Sequence, residues 1–340
     1  MKISIGGVEL GPRDKAFSEL LVSTLSTGSE LSIPFAVITG AEPGPILYVG
    51  AGSHGDEVTS MLVAMRIARD IGPDDIKRGA LVVTPMHNPL AVLRKKRWGI
   101  VDNLDMNRVW PGDPEGNVSE LIVHKIFSEL VMKSDYALDL HTAAGDGENV
   151  PHAILPPEGV FTPRSDSSYA AKKDVTPDMA RYFGVRFVAR SRIREEKERK
   201  YYQYVYGELH VAATMRGVPA IVVELGEGGR VSRNAYELGY SGVLNVARYL
   251  GILEGVPEEH PQPVMLKGPS KAVRAPRGGV VTMKVLPGDK VSQGDIVAVL
   301  DTLWEQIEVR SPIDGYVVRV RRYGIVEPGE RIAVIVGGEG

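Results

Sequence analysis

Apolar and polar residues alternate along this chain in two distinct rhythms. From Phe35 to about Gly251, short solid apolar runs take turns with longer stretches of helical spacing. FAVITG (35–40) and PILYVG (45–50) read as short buried strands, each closed by glycine. EVTSMLVAMRIARDI (57–71) repeats its apolar residues at helical spacing and stops at Gly72-Pro73. ALVVTPM (80–86) reads as another buried strand, and SELIVHKIFSELVMK (119–133) as a helix with Ser119 as its N-cap. YALDLH (136–141) and PAIVVELG (219–226) are strands that end in polar residues, and SRNAYELGYSGVLNVARYLGIL (232–253) is the last helix of the block. The pattern predicts an α/β fold: a mainly parallel or mixed sheet flanked by helices on both faces. In such sheets function gathers at the carboxyl ends of the strands. His54, Asp139, His141 and Glu224 all fall at or just past such ends.

The second rhythm begins after a change of composition. GVPEEHPQPVMLKGPSKAVRAP (255–276) carries five prolines and no clear period, the marks of a linker. Beyond it, APRGGVVTMKVLPGDKVSQGDIVAVL (275–300) and SPIDGYVVRVRRYGIVEPGERIAVIV (311–336) are near-repeats. Each runs small residue, proline, turn glycine, alternating valines, Gly-Asp or Gly-Glu, and a second alternating strand. Two copies of one hairpin-rich unit predict a small all-β sandwich with pseudo-twofold symmetry. The expected divisions are residues 1–255 with a core at 35–251, a linker at 256–275, and the sandwich at 276–340. Both halves of the repeat make this segment resemble the biotinyl/lipoyl carrier domains. In such carriers the modified lysine sits on the turn between the halves, which here is LDTLWEQIEV (300–309), and Trp304 stands in its place. Lys284, beside Met283, falls in a strand of the first half and reads as a solvated side chain. The resemblance therefore implies a structural or gating appendage, not a swinging arm.

Composition narrows the chemistry. With 340 residues, 43% hydrophobic and 24% charged, the chain suits a soluble two-domain globular protein. A net charge of −3 gives no support for a nucleic-acid or membrane-surface partner. No apolar run approaches the roughly 18 residues needed to span a bilayer, and MKISIGGVELG lacks a signal-peptide core. The expectation is a cytoplasmic protein, compatible with a homo-oligomer. There is no cysteine, so any metal must be held by His, Asp and Glu.

GAGSHGDEVTS (50–60) places His54 and Glu57 three residues apart at a strand-to-helix turn. That spacing can bring an imidazole and a carboxylate onto one side of the first helical turn, a combination zinc accepts. Gly52 and Gly55 ease the sharp exit from the strand. The plain alternative is a helix start at which the dipole favours Asp56 and Glu57. A third ligand must come from elsewhere. His124 lies on a helix face and His152 in a loop; His87 and His141 both follow buried strands, and periodicity does not separate them. Asp139 projects to the same side as His141 and can orient a ligand.

HGDE (54–57), DMNR (105–108), DLHTA (139–143) and VELG (223–226) stand in the order, and with roughly the spacing, of the succinylglutamate desuccinylase/aspartoacylase family. The chain resembles that branch of the zinc carboxypeptidase-like fold over about residues 35 to 250. The resemblance implies one zinc ion per chain held by His54, Glu57 and His141, with Glu224 as the general base. A carboxylate at the end of an apolar strand is costly unless it has work or a partner, which agrees with that role. Asn107 and Arg108 resemble the pair that holds the carboxylate of the amino-acid portion, a task that suits the planar arginine fork. A further family arginine has its nearest counterpart in Arg97, with Arg94 and Arg216 as other candidates. The charge run REEKERKYYQYVYG (194–207) offers tyrosines at 201, 202, 204 and 206, none singled out. The implied activity is metal-assisted hydrolysis that removes an acyl group from a small N-acyl amino acid or related amine. The alternatives are a peptidase of the same fold and a non-catalytic binding module.

Overall fold

A computed structural model describes residues 2–192 and 207–338. The tyrosines at 201, 202, 204 and 206 lie outside the described residues. The chain opens with a small ribbon of β1 (Ile3–Ile5) and β2 (Val8–Leu10). It then builds one large sheet from β3 (Lys15–Thr24), β4 (Glu30–Thr39), β5 (Glu42–Ala51), β6 (Arg78–Thr84), β7 (Tyr136–His141), β9 (His152–Leu155), β10 (Phe187–Arg190), β11 (Ala220–Glu224) and β12 (Val264–Met265). The strand order is β12-β10-β9-β11-β7-β5-β6-β4-β3. At its centre β11, β7, β5 and β6 run parallel, whereas β4 and β3 are added antiparallel at one edge and β9 runs antiparallel to β11. The expected mixed α/β sheet is present.

The central strands are apolar on both sides because both faces are covered. One face packs on the helices Val58–Asp70, Thr176–Phe183 and Arg233–Tyr249 through Val63, Ile67, Phe183 and Val246. The other packs on Val118–Glu129 and Leu209–Thr214 through Ile122, Ile126 and Leu209. Gly239 brings the last helix close to the sheet: a Cβ there would lie 2.8 Å from Leu225.

Two local expectations need correction. Ser119 is not an N-cap, because the helix begins at Val118, where the Glu120 carboxylate accepts from the Asn117 backbone N–H at 2.8 Å. Ser119 instead donates its N–H and hydroxyl to Asp102, at 2.7 and 2.9 Å, so a loop carboxylate serves the helix start. The proline-rich stretch after Gly255 is also not bare connection. Val264–Met265 extends the large sheet as its edge strand, beside β10.

The last part of the chain forms two facing sheets. Its strands are β13 (Ser270–Arg274), β14 (Gly279–Met283), β15 (Lys290–Val291), β16 (Ile296–Asp301), β17 (Gln306–Arg310), β18 (Gly315–Arg321), β19 (Ile325–Val326) and β20 (Arg331–Val336). The two sheet orders are β13-β20-β18-β15 and β17-β16-β14-β19. Exchanging each strand of the first repeat for its counterpart in the second converts one order into the other, which is the pseudo-twofold relation the repeat foretold. Their shared core includes Val297, Leu300, Val317, Ala333 and Ile335. Lys284 is exposed just beyond β14. The short strand β8 (Gly147–Asn149), from the loop after β7, pairs antiparallel with β18 and ties the sandwich to the large sheet.

Candidate active site

The carboxyl ends of β5, β7 and β11 meet in a cavity of about 150 Å³, below the roughly 300–1,000 Å³ of drug-sized ligand sites. His54 and Glu57 reach it because the chain leaves β5 through Gly52, whose φ of +73° suits glycine. Gly55 is required for a different reason: a Cβ there would sit 1.9 Å from the Ala91 carbonyl oxygen. Glu57 occupies the N-cap position of the helix Val58–Asp70 but makes no capping bond with its side chain. Its carboxylate is turned instead toward the two histidines.

His54 Nδ1 lies 2.6 Å from Glu57 Oε1, and His141 Nδ1 lies 2.8 Å from Glu57 Oε2. All three residues are buried, and one ligand atom from each can be chosen so that all lie within 4.8 Å of one another. The outer ring nitrogens are anchored. His54 Nε2–H donates to Asp105 at 3.0 Å, and His141 Nε2–H donates to Asp139 at 3.0 Å. These bonds fix the tautomers so that both Nδ1 lone pairs face the Glu57 carboxylate. Lewis bases held that close need a shared cation between them, a proton or a metal ion. The donor set of two imidazoles and a carboxylate suits zinc.

The electrostatics follow. Burial alone would lower the pKa of both imidazoles, but Glu57 with Asp105 raises that of His54, and Asp139 with Glu57 raises that of His141 further. Burial would likewise raise Glu57 and Asp105, yet the neighbouring histidines hold both well below the usual carboxylate range. Glu224 goes the other way. Burial, reinforced by the Glu57 charge, raises its pKa. It ends β11 directly beside His141 on β7, and its Oε2 accepts from Asn149 Nδ2 at 2.9 Å.

The remaining histidines sort themselves. His87, the competitor of His141, is fully buried away from the cavity, with Nε2 2.7 Å from Tyr48 Oη and Nδ1 2.9 Å from Ser53 Oγ. Burial depresses its pKa to about 4, so it stays neutral. His152 bonds the Val150 carbonyl at 2.8 Å, and His124 is half-buried on its helix.

Arg97, Asn107 and Arg108 all line the cavity. Arg97 donates Nε and Nη2 to Asp105 Oδ2, at 3.0 and 2.8 Å, and its Nη1 stands 4.0 Å from Glu57. Asn107 Oδ1 is buried with no hydrogen-bond partner among the described residues. Arg108 Nη1 donates to the Asn107 carbonyl at 2.6 Å and lies 3.8 Å from Glu208. Arg94 and Arg216 are elsewhere: Arg94 bonds Gly99 and Asn103, and Arg216 bonds the Ala212 carbonyl.

Several residues escaped sequence reasoning: Asp105 behind His54, and Asn149, Ser191, Glu208, His210 and Arg319 on the cavity wall. Asp105 opens the DMNR motif, and a search for whatever orients His54 would have found it. Ser191 and Arg319 carry no local signal, because only the fold brings them to the site. Asp56 now has a place. Its Oδ2 accepts from Gly145 N–H at 2.9 Å and its carbonyl from Gly229 N–H at 2.7 Å, lacing the His54 turn to the loops after β7 and β11.

Residues 43–250 match the succinylglutamate desuccinylase/aspartoacylase catalytic domain, and residues 266–335 match the domain described as biotin-requiring enzyme. A curated relative, the N-alpha-acetyl-L-2,4-diaminobutyric acid deacetylase of Halomonas elongata, is 26% identical over 317 residues, covering 91% of this chain and 87% of its own. Among solved structures, a succinylglutamate desuccinylase from Silicibacter sp. TM1040 superposes with a TM-score of 0.79 at 23% identity, covering 96% of this chain and 95% of that one. The product-bound ectoine utilization protein EutE (DoeB) from Ruegeria pomeroyi gives 0.76 at 22% identity, covering 95% of each. These structural likenesses establish the fold. Among the described residues, no helix is long and apolar enough to cross a membrane.

Proposed function

As this chain belongs to the succinylglutamate desuccinylase/aspartoacylase family, we propose that it is a zinc-dependent amidohydrolase removing a short acyl group from a small N-acyl amino acid. The compound in the name of its Halomonas elongata relative, N-alpha-acetyl-2,4-diaminobutyrate, is the first substrate to test. The observation that carries this reading is the convergence of His54, Glu57, His141 and Glu224 on one small cavity.

His54 and His141, through Nδ1, and Glu57, through its carboxylate, would hold the metal. Zinc bound there supplies Lewis-acid polarisation of an acyl carbonyl and makes water a competent nucleophile near neutral pH. Asp105 and Asp139 keep the two imidazoles in the tautomer that presents Nδ1. Glu224 takes the proton from the attacking water and returns it to the leaving amine. Its raised pKa moves it toward the working pH, where a base performs best. Asn149 occupies only Oε2 in the described contacts, which leaves Oε1 for the proton. Arg97, which lies near Glu57, would steady the acyl oxygen, and Asn107 with Arg108, which line the same cavity, would receive the substrate carboxylate. The small cavity volume and the sandwich strand β18 at its mouth favour an acylated amino acid over a peptide chain.

The test is amine release from N-alpha-acetyl-2,4-diaminobutyrate and other N-acetyl and N-succinyl amino acids by zinc-loaded protein, with short peptides as comparators. Hydrolysis of an acylated amino acid is expected. Glu224→Gln should keep its metal and lose roughly 10²- to 10⁴-fold in turnover. Failure of the parent on every acyl substrate, or parental turnover in Glu224→Gln, would contradict the reading.

A further inference from the structure

Three arginines line the cavity, and they are not equally committed. Arg97 is held by two bonds to Asp105, and Arg108 by the Asn107 carbonyl and Glu208. Arg319 differs in origin and in company. It projects from β18 of the sandwich, on the opposite side of the domain sequence from every other cavity residue. Only 20% of its side chain is exposed, its Nη2 donates to the Ala144 carbonyl at 2.9 Å, and it lies 3.7 Å from Asp146. Asp146 is itself shared with Arg321 at 3.1 Å. A guanidinium has five N–H donors. One hydrogen bond and one long, shared ion pair leave most of them without an acceptor among the described residues. Burial, with the neighbouring Arg331, lowers its pKa despite the opposing charges of Glu224 and Asp146.

The fold delivers this side chain deliberately. In the β8–β18 pairing Arg319 stands opposite Asn149, the residue that bonds Glu224. Its guanidinium crosses over Gly147, where a Cβ would lie 2.2 Å from Nη2, so any larger residue would push it away. Arg319 also borders the outer cleft of about 810 Å³ lined by Lys95, Trp98, Arg322 and Tyr323. It therefore occupies the neck between the mouth and the inner cavity.

We infer that Arg319 is a substrate-binding residue supplied by the sandwich, whose guanidinium grips the carboxylate of the acylated amino acid at the neck of the cavity. The inference rests on the amidohydrolase reading. A carboxylate is the group this chemistry selects, because its two oxygens match the planar fork. It also has lone pairs enough to be shared with Arg108, and the inner cavity is small enough that one ligand lies within reach of both. On this account the sandwich is a wall of the site.

The experiment compares N-alpha-acetyl-2,4-diaminobutyrate with its carboxamide in the zinc-loaded full chain, measuring KM, kcat and zinc content. Arg319→Gln should raise KM about 10- to 100-fold for the carboxylate substrate, the range for lost hydrogen bonds to a charged group. It should have little effect on KM for the carboxamide. Arg319→Lys should fall between, and Gly147→Ala should reproduce the selective loss by displacing the guanidinium. Zinc content should not change. Unchanged KM in Arg319→Gln, or equal losses on both substrates, would overturn the inference. A parent inactive on both compounds would instead refute the amidohydrolase reading. Arg319 is then judged by calorimetric binding of 2,4-diaminobutyrate and its amide: a loss confined to the carboxylate ligand supports it, and equal binding overturns it.

Discussion

At the ends of β5 and β7 the polar side chains turn inward, whereas at the hairpin between β16 and β17 the side chains turn outward. His54, Glu57 and His141 are 1%, 1% and 2% exposed, each facing another polar group. Leu303 and Trp304, at the tip where a carrier domain would present its lysine, are 88% and 93% exposed and converge on nothing. Both regions belong to segments that match known domains. A β-hairpin repeat can keep its fold with any residue at the tip, because the core that holds it, including Leu300 and Val317, lies elsewhere. The buried cluster of His54, Glu57 and His141 allows no such freedom. Burying carboxylates and imidazoles is expensive unless each has a partner, so the set survives only as a set.

That contrast can be strained from the site side first. Asp105→Ala and Asp139→Ala leave His54, Glu57 and His141 intact but remove the acceptors that orient the imidazoles, and each should weaken zinc binding about 10- to 100-fold. Competition with a chelator of known affinity measures it. Unchanged affinity in both variants would mean the histidines are oriented without them. From the other side, Trp304→Lys restores a lysine to the hairpin tip. It should leave amide hydrolysis within about twofold of the parent and stability within about 0.5 kcal/mol, as for exposed positions generally. A larger change in KM would place the tip in the substrate path and dissolve the distinction.

Much of the fold was legible because it repeats. The solid apolar runs of β5, β6, β7 and β11 require cover on both faces, and the duplicated valine-rich hairpins map onto two sheets related by exchange. Of the site, the motif residues could be read where strands end, and His54, Glu57 and His141 indeed meet. Periodicity alone could not choose His141 over His87, since both follow buried strands. The deciding fact is that Tyr48 and Ser53 engage both nitrogens of His87. The helix Val118–Glu129 is capped two residues before Ser119, at the Asn117-x-x-Glu120 capping box, whereas Ser119 is engaged by Asp102 from a preceding loop, a contact with no local pattern. Arg319 was invisible for a related reason. Its place in the cavity depends on β8 pairing with β18 across the molecule and on the absence of a side chain at Gly147, neither of which leaves a local pattern.

The central claim is that His54, Glu57 and His141 form one metal site. Its most direct test is zinc titration of chelator-stripped protein, parent beside Glu57→Ala, followed calorimetrically at neutral pH. The parent should bind about one zinc per chain, with release of any proton shared between the imidazoles and Glu57, and the variant should lose that binding. Equal zinc binding by parent and variant, or no binding by either, would contradict it.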